Sequence, residues 1–190
     1  QIKDDLISGT TALASEPADT DEFLVSDAGT LKRIDYSLIK GGGLTGADQW
    51  RLTASLTADA NITSNLERPD HSGFGYIGTG MSVSSGIFTF PSTGIWSVRV
   101  SMSADANGAD TIRIFTYQTN NNSSYSIVAA ATTGSKDQDD GGSSEVFVDV
   151  TDVSNVKVQF AGSSIGSGSD INGATDYNRT SFTFVRLGDT

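Results

Sequence analysis

The clearest alternation in the chain runs from Trp96 to Ser103, where Trp96, Val98, Val100 and Met102 take every second position and Ser97, Arg99, Ser101 and Ser103 the positions between. A period of two places the first set on one face of a β-strand and the second on the other. The pattern returns at Val146, Val148 and Val150, at Val156, Val158 and Phe160, and at Phe182 and Phe184. Less regular apolar stretches at 50–57, 74–77, 86–91, 111–119 and 124–132 predict further strands, with turn residues clustered between them. No convincing helical periodicity appears. Residues 46–190 are therefore expected to form one all-β domain, an antiparallel sandwich of about nine or ten strands.

Several of these strands are apolar on both faces. Ile112 and Ile114 point away from Phe115 and Tyr117; Phe147 lies opposite the valines of its own strand, and Val185 and Leu187 lie opposite Phe182 and Phe184. A sandwich strand with one face in water is polar on that face. The second apolar face needs a cover, either further copies of the chain around a threefold axis or a loop of the same chain. Phe115, Tyr117, Phe147, Val185 and Leu187 are the candidate trimer-interface residues.

Residues 1–45 read as a neck segment. The first 20 or so are small and polar, Phe23-Leu-Val25 predicts a short strand, Asp27-Ala-Gly-Thr30 a turn and Leu31–Ile39 a second amphipathic piece. Gly41-Gly-Gly43 is a flexible joint. The unit at 21–39 is too small to bury its own apolar residues. It resembles the small linking units that recur in bacteriophage tail fibres and other virion appendages, which are usually trimeric. The resemblance implies a fibrous, oligomeric virion protein.

A second resemblance covers most of 86–187. Phe90-Pro-Ser-Thr-Gly94-Ile-Trp is similar to the segment of complement globular heads in which a turn glycine precedes an aromatic strand. Glu145–Phe160 resembles that family's penultimate hairpin, and Thr180–Leu187 its closing strand. This implies a jelly roll like that of tumour necrosis factor, assembled as a homotrimer. The loops do not match, so no ligand residue carries over.

Charge narrows the partners. Twelve Lys and Arg against 23 Asp and Glu leave a net charge of −11, which repels nucleic acid and anionic membranes. No apolar run reaches the roughly 20 residues of a membrane-spanning helix. The absence of cysteine puts the burden of stability on the core and on assembly, as suits a protein made in a reducing cytoplasm. Starting at Gln1 without a methionine, the sequence is expected to be part of a longer polypeptide.

Catalytic chemistry finds little to work with. His71 is the single histidine; it stands between Asp70 and Ser72 in a turn-like stretch, where sequence neighbours seldom point at one another as a catalytic triad must, and one histidine with no cysteine does not supply a zinc site. The chain is expected not to be an enzyme. Cofactors are expected to be none, with calcium the one exception to weigh. Asp137, Asp139 and Asp140 stand in a glycine-bounded loop, and Asp170 and Asp176 in another; solvated acidic turns are the simpler reading of both. Two long polar loops carry an aromatic residue each, with Tyr125 and Asn121 in one and Tyr177 and Asn172 in the other. Tyr with Asn and Ser is the chemistry of adaptable recognition surfaces. The expected function is a fibre head on a virion, a homotrimer contacting other virion proteins and binding a host glycan or outer-membrane protein. A secreted adhesive or matrix protein, or a purely decorative virion protein, is the alternative.

Overall fold

The computed structural model describes residue 11 and residues 13–40, 42–107, 111–134 and 139–190, with only the backbone of Asp139. The chain divides into two units, residues 1–43 and 44–190.

In the first unit, strands β1 (Glu22–Asp27) and β2 (Thr30–Asp35) form a hairpin in which Phe23 faces Ile34 and Asp27 faces Thr30. Ala28 and Gly29 both take positive φ, 48° and 83°, as a two-residue hairpin turn requires. A 3-10 turn at Tyr36–Leu38 follows, and the Tyr36 ring lies 6.0 Å from that of Phe23. Leu24, Leu31 and Leu38 remain exposed, because two strands offer no second layer to cover them.

The second unit is a sandwich of two antiparallel sheets. Its strands are β3 (Ala47–Leu52), β4 (Ala60–Asn61), β5 (Leu66–Glu67), β6 (Ser82–Ser84), β7 (Ile87–Thr89), β8 (Gly94–Asp105) and β9 (Ile112–Thr119). They continue with β10 (Ser126–Thr133), β11 (Asp139–Val150), β12 (Lys157–Ser163), β13 (Asp170–Ile171) and β14 (Ser181–Gly188). One sheet has the order β11-β8-β14-β3-β5, with β13 also on β8; the other has β10-β9-β12-β7-β6, with β4 on β12. Successive long strands mostly cross from one sheet to the other, which is jelly-roll winding.

The alternating positions meet between the sheets. Trp96, Val98, Val100 and Met102 of β8 are buried against Ile112, Ile114, Val158 and Phe160. At the centre, Phe88 lies 5.1 Å from Phe184 and 5.5 Å from Phe160, and Phe160 stacks on Phe182 at 4.3 Å. Two expected strands differ. The strand expected at 50–57 spans 47–52, and residues 74–77 form no strand, only a single bridge from Ile77 to Ala47. Glycines 73, 75 and 78 interrupt that stretch, and two of them have positive φ. Among the described residues, no helix is long and apolar enough to cross a membrane.

Register decides which loops share an end of the sandwich. In the first sheet Val150 pairs with Gly94 and Val185 with Ala47, so these residues lie towards the end at which residue 44 begins the unit. Thr119 pairs with Lys157, and the turns at 90–93 and 151–156 bring both to that same end. Asp105, Asp139, Ser181, Ile112 and Ser163 mark the far end.

Candidate functional site

The pleat of β3 sends Asp48, Trp50 and Leu52 to one side and Ala47, Gln49 and Arg51 to the other. A carboxylate on the apolar side must be fully bonded, because an unpaired buried charge is costly. Asp48 is. It accepts from the backbone N–H of Gln49 (2.9 Å) and Met81 (2.7 Å), from Trp50 Nε1 (3.0 Å), and from Arg68 Nε and Nη2 (3.0 Å each). The Arg68 guanidinium also donates from Nη2 to the Met81 carbonyl. It lies over two rings, 4.7 Å from the centre of Trp50 and 4.9 Å from that of Tyr76. Gly80 leaves room for this assembly: its φ is +73°, and a Cβ there would fall 2.9 Å from Arg68 Nη2 and 3.0 Å from Asp48 Oδ2.

On the opposite side of β3, Arg51 is buried and donates from Nε and Nη2 to Glu67 Oε1 (2.8 and 2.6 Å) and from Nη2 to Asp70 (2.7 Å). Burial opposes its charge, but the bonds to Glu67 and Asp70 outweigh burial and hold its pKa above the ordinary value. Two arginines thus tie the 66–81 segment to β3, and backbone bonds between Ala47 and Ile77 close it. Asp70 is committed to Arg51, while the neighbouring His71 contacts the Asp176 carbonyl. The segment encloses a hollow of about 180 Å3 with Gln49, Arg68, Phe74 and Tyr76 on its walls. Phe74 and Tyr76 are 54% and 53% exposed. A larger hollow of about 370 Å3 sits by Thr45, Ser92, Thr93 and Arg186, where all three guanidinium nitrogens have acceptors: Thr93 O, Thr45 Oγ1 and Asp189.

The outward face of the same sheet carries a row set by register. Ile77 bridges to Ala47, Ala47 pairs with Val185, Val185 with Ser97, and Ser97 with Phe147. Phe147 is 65% exposed at one edge and Ile77 is exposed at the other. Leu187, also exposed, is the extra residue of a β-bulge between Arg186 and Gly188. Phe115 and Tyr117 are elsewhere. They lie on the outer face of the other sheet, 6.2 Å from each other, with Tyr117 paired to Ile127. The five interface candidates therefore divide between two opposite faces, a division that only the sheet assignment reveals.

The recognition candidates divide as well. Tyr125 and Asn121 belong to the turn from β9 to β10, at the end where residue 44 enters, whereas Asn172 and Tyr177 lie at the far end. Tyr177 is 61% exposed. The Tyr125 hydroxyl is enclosed with no hydrogen-bond partner among the described residues, and burial raises its pKa. Asn121 shapes its own turn, its Oδ1 accepting from the backbone N–H of Ser123 (3.0 Å) and Ser124 (2.8 Å). Asn172 is only 5% exposed and donates to Ser103 Oγ, so an outside ligand does not reach it. This corrects the sequence expectation: a polar residue in a polar loop is here part of the frame.

Of the calcium candidates, Asp137 and the Asp139 side chain lie outside the described residues. The nearby Thr133 hydroxyl and the Gly141 N–H, which donates to Asp140 Oδ1 (2.7 Å), lower the Asp140 pKa. Backbone register sets Asp105 between Asp139 and Asp170, while Asp176 stands apart beside His71. Among the described residues no three metal-binding side chains cluster.

Sequence reasoning missed Asp48, Arg68, Phe74 and Tyr76. The signal was two aromatics set among glycines at 73–78, a composition poor for a strand and good for displaying side chains.

No family model and no curated protein matches the sequence. In shape the chain is similar to Eiger TNF from S. frugiperda, with a TM-score of 0.58 at 13% identity over 76% of this chain and 93% of that one. It is similar to murine APRIL, with a TM-score of 0.57 at 9% identity over 75% and 98%. At such identities the likeness establishes the fold alone, a tumour necrosis factor-like jelly roll.

Proposed function

We propose that this chain is a non-enzymatic structural protein of a virion, the head of a fibre, that assembles as a homotrimer and attaches to a host surface. The observation that carries the proposal is the row Ile77–Ala47–Val185–Ser97–Phe147, which runs from edge to edge of one sheet with no charged residue in it. A ring of three joins two different patches on each chain, and a row exposed at both edges supplies both. The hairpin at 22–35, with its uncovered leucines, gains from the same assembly because it has no layer of its own to pack on. Its resemblance to virion linking units supports the virion, and the charge of −11 accords with a soluble exterior surface.

Attachment through a trimer needs only weak single contacts, since three linked sites act at high effective concentration. Tyr177 is the recognition residue that stays exposed at the far end. The test is light scattering on residues 1–190, expected to give three times the chain mass of 19.8 kDa, followed by adsorption of the trimer to host cells. A monomer rejects the assembly. A trimer that adsorbs to no cell rejects attachment and leaves a decorative role.

A further inference from the structure

Arg68 differs from Arg186, the arginine that lines the larger hollow. Arg186 has an acceptor on each guanidinium nitrogen, whereas Arg68 uses Nε and Nη2 and has no described acceptor at Nη1. It is held by the buried Asp48 carboxylate on its inner edge and by the rings of Trp50 and Tyr76, 4.7 and 4.9 Å from its centre. A donor fixed this way loses little freedom when it takes a ligand. It lines the hollow of about 180 Å3 that Gln49, Phe74 and Tyr76 also line.

The chemistry of the walls selects the occupant. Asp48 already compensates the Arg68 charge, and the chain as a whole carries −11, so an anionic ligand gains little here. An apolar ligand would strand the polar walls. Gln49 donates one N–H to Thr183 Oγ1 (2.9 Å) and accepts from Asn178 Nδ2 (2.6 Å), which leaves it one donor and one lone pair. Those groups, with the two N–H of Arg68 Nη1 and the Tyr76 hydroxyl, suit a ligand rich in hydroxyls, each of which both donates and accepts. Arg68 covers one face of Tyr76; the ring is nevertheless half-exposed, so its other face and Phe74 are available to a C–H surface. Hydroxyls around an edge and C–H bonds on a face are the two surfaces of a sugar ring. The volume lies below the roughly 300–1,000 Å3 of drug-sized sites, so it takes one ring and not an extended chain.

We infer that this hollow binds a single neutral pyranose unit, stacked on Tyr76 and Phe74 and hydrogen-bonded by Arg68 Nη1 and Gln49. Its use in attachment rests on the function proposed above; the binding itself does not.

The test titrates the full chain with methyl glucoside, methyl galactoside, methyl mannoside and methyl glucuronide, followed by ligand-observed NMR. At least one neutral glycoside is expected to bind, with the glucuronide no tighter. Tyr76→Ala is expected to weaken that binding at least about tenfold, while Tyr117→Ser, on the outer face of the other sheet, leaves it unchanged. Phe74→Ala repeats the test without touching the Asp48–Arg68 pair, in case Tyr76→Ala loosens the fold. Failure of all three neutral glycosides to bind overturns the inference, as does binding indifferent to both substitutions. So does dissociation of the native oligomer by either substitution, which would make the aromatic shelf a subunit contact. A chain that binds a glycoside yet adsorbs to no cell upholds the site and rejects attachment.

Discussion

Asp48 and Arg68 form a double contact, Nε to Oδ1 and Nη2 to Oδ2 at 3.0 Å each, with the acid wholly buried and the base 35% exposed. The acid does more than neutralise the base, since it also holds the Trp50 indole and two backbone N–H groups. Replacing it with alanine strands several buried donors at once. Asp48→Ala is expected to cost about 3 kcal/mol, read as a lowered urea midpoint, and to change the near-ultraviolet circular dichroism of Trp50.

The stacked pair Phe160 and Phe182 bridges the two sheets at 4.3 Å, and Phe88 packs on both. Phe160→Ala leaves a cavity at the point where the layers meet. A loss of about 3–5 kcal/mol in chemical denaturation is expected, and a loss below about 1 kcal/mol would mean that the sheets close over the gap.

The two opposite apolar faces make separate predictions for assembly. Phe147→Asp places a charge at the edge of the proposed contact row and is expected to shift the light-scattering mass to that of one chain. Tyr117→Ser, on the other sheet, is expected to leave the trimer intact. The reverse result would move the interface to the β9–β10 face.

Asp152 closes the turn from β11 to β12. The Ser154 N–H on its Oδ1 (2.7 Å), aided by Asn155 Nδ2 on its Oδ2 (2.7 Å), lowers its pKa. A lowered folded-state pKa gives stability that is present above the unfolded-state value of about 3.9 and is lost as pH falls through the folded value. The stability difference between the native chain and Asp152→Ala is expected to be constant above about pH 5 and to narrow at lower pH. Thermal melts from pH 3 to pH 7 would check this.

Strands whose faces differ in polarity are legible in the sequence. The alternation at Trp96–Met102 and at Val146–Val150 reports a buried face directly, and these segments lie in β8 and β11. The first half of β11 was not legible. Asp139-Asp-Gly-Gly-Ser-Ser144 has no apolar period and is a strand because β8 is long enough to pair with it. The hollow was illegible for another reason: Asp48 and Arg68 are 20 positions apart, and only the path of the 66–81 segment along β3 joins them. Tyr125 and Tyr177 looked equivalent because a polar loop in the sequence carries no sign of which end it caps.

Residues 44 and 188 lie at one end of the sandwich, along with the turns at 90–93, 120–125 and 151–156. At the opposite end lie the loops at 53–59 and 164–169, each of which leaves a strand of the sandwich and returns to another. Lengthening such a loop costs only about 0.6 kcal/mol per doubling of its length, so this end can accept new sequence without disturbing the strands beneath. The jelly roll thus divides its labour: one end holds the entry at residue 44 and the turns that join the sheets, and the other has length to spare.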